Sequence, residues 1–156
     1  MSSIKDDIVS KAVSFPHYTS RFILDKTGTQ TISPNTLTKV TWQAVDEATF
    51  DFEVDLANNR VTTTKSGTCS FSVSFSTALL NGTPQFYLYK NTVAEQEFRI
   101  DRGAVAAACV FDDVPVERGD IWEIYIYHSD GTSRNLLHTS QTYARKTQFE
   151  GRYIDR

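Results

Sequence analysis

The chain has 156 residues, 40% of them hydrophobic and 12% aromatic, and a formal charge of -3. A sequence of that size and apolar content supports one domain with a real core and excludes intrinsic disorder. Lysine and arginine are scattered, which argues against a nucleic-acid partner, and no apolar run approaches a bilayer span or forms a leader, so neither membrane nor export is expected.

Over residues 2–13, Ile4, Ile8 and Ala12 recur every fourth position with Val9 and Val13 beside them. Asp6 and Asp7 fall in the first turn, and Ser3 is placed to cap. This predicts a short amphipathic helix, ended by Phe15-Pro16. Such a helix is marginal alone in water, so its apolar face must dock on protein. The stretch that follows carries His17, Tyr18, Phe22, Ile23 and Leu24 ahead of the turn-prone Asp25-Lys26-Thr27-Gly28, and is too apolar for a flexible linker. Residues 1–30 are therefore read as a helix and arm, anchored through Ile4, Ile8, Val9, Val13, Phe15, Tyr18 and Phe22. Residues 31–156 are read as the globular domain.

From there the chain reads as strands and turns. Strands are expected over residues 36–45, 49–55 and 61–64, with a turn at Ala57-Asn58-Asn59 and another at Lys65-Ser66-Gly67. In Cys69-Ser70-Phe71-Ser72-Val73-Ser74-Phe75-Ser76 apolar residues alternate with serine, a period of two that fits a strand with one dry face and fits no helix. Asn81-Gly82 punctuates, and residues 85–90 set Phe86 and Leu88 against Tyr87 and Tyr89. Strands are expected at 98–100 and 104–111, then a loop at 115–120. Residues 121–128 set Trp122, Ile124 and Ile126 against Tyr125 and Tyr127, and residues 136–143 and 148–154 close the chain. Even spacing without intervening helices argues an antiparallel sandwich or barrel.

No pattern points to catalysis, a cofactor or a metal. His17, His128 and His138 lie near no nucleophile elbow and no metal-ligand spacing. Asp112-Asp113 and the Glu117/Asp120 pair read as solvated loop acids, with a calcium site at Asp112, Asp113 or Asp120 as the alternative. Cys69 and Cys109, among apolar or small neighbours, read as buried reduced thiols or as one disulfide.

Val54-Asp55, the turn at 57–59, Val61, Gly67, Cys69 and Phe71 together resemble a signature of the C1q and tumour-necrosis-factor superfamily. Val54 and Val61 stand where phenylalanine is usual there, and Cys69 where tyrosine is usual. Tyr89-Lys90-Asn91 resembles that family's Tyr-Lys-Asn-Gly strand end, with Thr92 in place of glycine. Gly119-Asp120 running into an alternating strand, and Phe149-Glu150-Gly151 near the end, resemble two further pieces. The resemblance covers about residues 31–154 and implies an all-β jelly roll of about ten strands that assembles as a homotrimer.

The trimer interface is then expected at Tyr87, Tyr89, Tyr125 and Tyr127, with Phe149 and Tyr153 on the last strand. Outward aromatic stripes of this kind exceed what a soluble monomer usually shows, and tyrosine is enriched in interfaces. The alternative is a second layer or the arm covering them. Small domains of this type without a collagen stem are similar to those of tailed bacteriophages. The resemblance thus implies a virion structural protein assembled in the host cytoplasm. Its arm would bind the major capsid protein or another virion protein, as a decoration or cement protein does. The second reading is a fibre head whose loops, with Asn81, Asp101, Arg102 and Asp130, hold a host surface glycan. A cytokine-like ligand is the third, against which the lack of an export signal weighs.

Overall fold

The computed structural model describes residues 19–77, 84–100, 106–137 and 146–154. Among them are thirteen strands and no helix. The predicted helix over residues 2–13 lies outside the described residues.

Two antiparallel sheets face one another. The first contains β1 (Arg21–Asp25), β2 (Gln30–Ile32), β4 (Ala44–Ala48), β7 (Gly67–Thr77), β10 (Ala106–Val116), β12 (Arg134–Leu137) and β13 (Gln148–Tyr153). Its order is β2-β12-β7-β13-β1-β4, with β10 on the other side of β7, so that Ser74 lies between Ala108 and Gln148. The second contains β3 (Thr38–Lys39), β5 (Phe52–Asp55), β6 (Arg60–Thr63), β8 (Gln85–Lys90), β9 (Val93–Arg99) and β11 (Ile121–Tyr127), in the order β5-β6-β11-β8-β9 with β3 on β11.

The core follows from strand parity. Cys69, Phe71, Val73 and Phe75 of β7 are fully buried, as are Phe86 and Leu88 of β8 and Trp122 and Ile124 of β11. Aromatic rings meet across the layers, Phe71 with Trp122 at 4.7 Å between centroids and Phe75 with Phe86 at 4.9 Å. Gly151 pairs with Phe22 on one side and Phe71 on the other. A Cβ there would lie 2.3 Å from Phe22 Cε1 and 2.8 Å from Phe71 Cδ1, so only glycine lets both rings close over the strand.

Several expectations change. Phe22 is not an arm residue: it is fully buried in β1, which lies between β13 and β4 inside the first sheet, and its ring packs 4.9 Å from both Phe52 and Phe149. Phe149 is likewise a core residue, stacked at 5.9 Å on Trp42, and offers no surface to another subunit. Asp112 and Asp113 are not loop acids but form a bulge in β10. The register moves from Phe111↔Phe71 to Val114↔Cys69, and Asp113 takes φ 55°. β9 spans seven residues where only 98–100 was expected. It pairs with β8 through the two-residue turn Asn91-Thr92, both at positive φ (48° and 73°) as a mirror-image hairpin turn requires.

Candidate interaction surfaces

Tyr87 and Tyr89 of β8 and Tyr125 and Tyr127 of β11 point away from the core on the second sheet. Register places Tyr125 opposite Tyr87, and the Tyr89 and Tyr125 rings lie 4.3 Å apart. The four are half-buried and largely covered by one another. Two hydroxyls donate within the subunit, Tyr87 to Gln85 Oε1 at 2.5 Å and Tyr127 to Asn35 Oδ1 at 3.3 Å. Burial raises the pKa of Tyr87 and of Tyr125 above the ordinary phenol value. Beside them Lys39 is paired with the nearly buried Glu123. Tyr153 belongs to the first sheet, where its ring lies 5.0 Å from Phe52 and under the Lys65 ammonium, and its hydroxyl donates to Lys65 O at 2.8 Å.

Of the expected ligand-loop residues, Asn81, Asp101 and Arg102 lie outside the described residues, as do the arm residues Ile4, Ile8, Val9, Val13, Phe15 and Tyr18. Asp130 is described and is not offered to solvent. It is 7% exposed, its carboxylate accepts from Arg134 Nε at 2.8 Å, and its N–H donates to His128 Nδ1. His128, fully buried, sets Nε2 2.9 Å from Ile32 O, which places its proton there. His17 and His138 lie outside the described residues.

Asp120 ties loops together. It accepts from Asn91 Nδ2 at 2.9 Å and from Glu117 N–H at 2.8 Å, and pairs with Lys90 at 3.0 Å. Burial opposes its ionisation, but these donors outweigh burial and hold its carboxyl below the usual range. Among the described residues no group of His, Cys, Asp and Glu is arranged to hold a metal ion. Cys69 and Cys109 are free and buried. Cys69 lies opposite Val114 and Cys109 opposite Val73, so the thiols do not face each other.

A surface that the sequence did not reveal lies where β9, at the edge of the second sheet, comes close to β10, which among the described residues pairs only with β7. Val93 is 66% exposed, Val110 52% and Phe98 36%. Pro115 within β10 is consistent with an edge, where a missing N–H costs no ladder bond. Val110 belongs to the outer face of β7 and β10, opposite Ser72, where it stands with the small side chains Ser72, Ser74 and Ala108.

The sequence matches no protein-family model and no curated protein. The fold does have counterparts among solved structures. An Eiger TNF from S. frugiperda superposes with a TM-score of 0.55 at 12% identity, covering 90% of this chain and 94% of that one. Murine APRIL gives 0.57 at 18% identity, covering 88% of this chain and all of the other (100%). GITRL from bushbaby gives 0.50 at 9%, covering 88% and 95%. At such identities the shared property is the architecture, and the chain is a TNF-like antiparallel jelly roll.

Proposed function

We propose that the chain is the protomer of a non-enzymatic homotrimer, and that this trimer is a structural protein of a bacteriophage virion, attached as a decoration or cement protein through residues 1–18. The observation that carries the trimer is the exposed apolar pair Val93 and Phe98 on edge strand β9, together with the exposed Val110 on the outer face of β10. Unpaired strand edges with apolar side chains are sites of association unless something covers them. The outer face of β7 and β10, with Ser72, Ser74, Ala108 and Val110, is a surface on which the β9 edge of another copy can seat. An edge placed on a different face of the next copy is a heterologous contact, which closes into a three-membered ring when each copy is turned by a third of a revolution. The tyrosine stripe fits this role less well. Its rings cover one another, and a stripe meeting its own copy would favour a two-fold dimer.

The virion assignment rests on the resemblance to small phage-encoded domains and on the amphipathic segment that precedes the jelly roll. Three copies of that segment would give multivalent attachment to a capsid lattice. Light scattering on the full chain is expected to report a trimer, and Val110→Glu with Phe98→Glu a monomer. A trimer that survives both substitutions but is lost in Tyr125→Glu would transfer the interface to the tyrosine face. A chain lacking residues 1–18 is expected to remain trimeric and to stop sedimenting with particles. Continued sedimentation would overturn the attachment.

A further inference from the structure

Both sheets are open, and among the described residues six strands pair on one side only. An edge of that kind can take up a strand from another chain. Three of the six are short: β2 has three residues, β3 two and β5 four. The other three are longer: β4 has five, β9 seven and β10 eleven. These three also carry Val45, Val93, Phe98 and Val110, four of the six large apolar residues exposed to water among the described residues. Length and apolar exposure together mark a strand edge as a place where chains aggregate.

Every shift of register among the described residues falls on one of these three strands, and each puts an acid at the extra position. Asp46 is the added residue of β4, between Val45 opposite Leu24 and Glu47 opposite Ile23. Glu95 is that of β9, between Ala94 opposite Tyr89 and Gln96 opposite Leu88. In β10, Asp112 and Asp113 lie between Phe111 opposite Phe71 and Val114 opposite Cys69, where β7 offers only Ser70. All four acids are exposed. The inner pairs β1–β13, β7–β13 and β8–β11 run without a shift. A bulge takes the outward N–H and C=O groups out of step and twists the strand, so a straight neighbour cannot build a continuous ladder on it. An added strand would also strip water from the carboxylate, and where two such edges met, acid would face acid.

We propose that these acidic bulges bar a second copy of this chain from extending either sheet, so that copies meet through side chains and not through a shared backbone ladder. The inference goes beyond the trimer reading and does not require it, because each variant is compared with the parent protein. Deleting Glu95 from the full chain straightens β9 while keeping Ala94 opposite Tyr89 and Gln96 opposite Leu88. Sedimentation at a series of concentrations is expected to show self-association about tenfold stronger than the parent's, the factor that one or two net hydrogen bonds give. Glu95→Lys retains the bulge and a charge, and is expected to sediment as the parent does. Deleting Asp46 tests β4 in the same way, and decides the matter if the first deletion does not fold by circular dichroism. A folded deletion variant that associates no more than the parent would overturn the proposal. So would Glu95→Lys associating as strongly as the deletion, since the bulge would then bar nothing.

Discussion

Strands β7 and β9 are both long, and they are built to opposite ends. β7 is paired along both sides and keeps every second side chain fully buried, Cys69, Phe71, Val73 and Phe75. β9 has one neighbour, β8, and is exposed on both faces except at Gln96. The first region holds the sandwich together and tolerates no added volume. The second contributes little to the core, leaves Val93 and Phe98 exposed and is joined by a turn that its sequence fits poorly.

The sharpest way to break the β7 region is Gly151→Ala. The new Cβ falls 2.3 Å from Phe22 Cε1 and 2.8 Å from Phe71 Cδ1, and both rings are fully buried with nowhere to turn. Overpacking of that kind is expected to cost about 3 kcal/mol, read as a lower midpoint in denaturant at unchanged slope. A loss under about 0.5 kcal/mol, within the range of neutral surface changes, would mean that the strands can separate there and that the packing argument is wrong.

This contrast also explains what was legible in the sequence. A strand buried on one face shows period two, so β7, β8 and β11 could be read directly, as could the parity of the four tyrosines. β9 could not, because Val93-Ala94-Glu95-Gln96-Glu97 is exposed on both faces and shows no alternation. β1 was hidden differently: Ile23 points outward between the buried Phe22 and Leu24, so five residues of central strand looked like a uniformly apolar arm. The exposure of Val93, Phe98 and Val110 is a tertiary property, since each would read equally well as core. The turn at Phe50, between β4 and β5, escaped notice because it lay inside a longer expected strand.

Alkaline pH probes the same region by charge. Burial pushes the Cys69 and Cys109 thiols, on β7 and its neighbour, from an ordinary 9.0 up to about 12, and it raises Tyr153 from 10.0 to about 12. Above pH 9 the unfolded chain has lost the thiol protons, and above pH 10 the Tyr153 proton, while the folded chain retains them, so stability falls as pH rises, by about 1.4 kcal/mol per unit for each thiol. Lys26 acts the other way. The residue is 4% exposed, its ammonium donates to Gln30 Oε1 and to Thr41 O and Oγ1, and burial lowers its pKa from 10.5 to about 8. Between those values the unfolded chain holds the extra proton and stability rises. The expected profile is a shallow rise from pH 8 to 9 and a steep decline beyond it. Cys69→Ala with Cys109→Ala should lower stability at pH 7 and flatten the decline. An equally steep decline in that variant would show that the thiols are not its source.

The smallest effect belongs to the β9 side. Thr92 holds φ 73° at the second position of the β8–β9 turn, a region that a β-branched residue enters only under strain. Asn91 can bear its own φ of 48° because its side chain is anchored, donating to Asp120 and accepting from Ile121 N–H at 2.8 Å. The turn is therefore set by Asn91, and Thr92 follows it at a cost. Thr92→Gly relieves that strain but adds backbone entropy to the unfolded chain, which offsets part of the gain. The expected result is a stabilisation of about 1 kcal/mol, measured as a higher denaturant midpoint, with the oligomeric state unchanged by light scattering. A loss of stability would mean that the threonine side chain makes a favourable contact that outweighs the strain of its backbone.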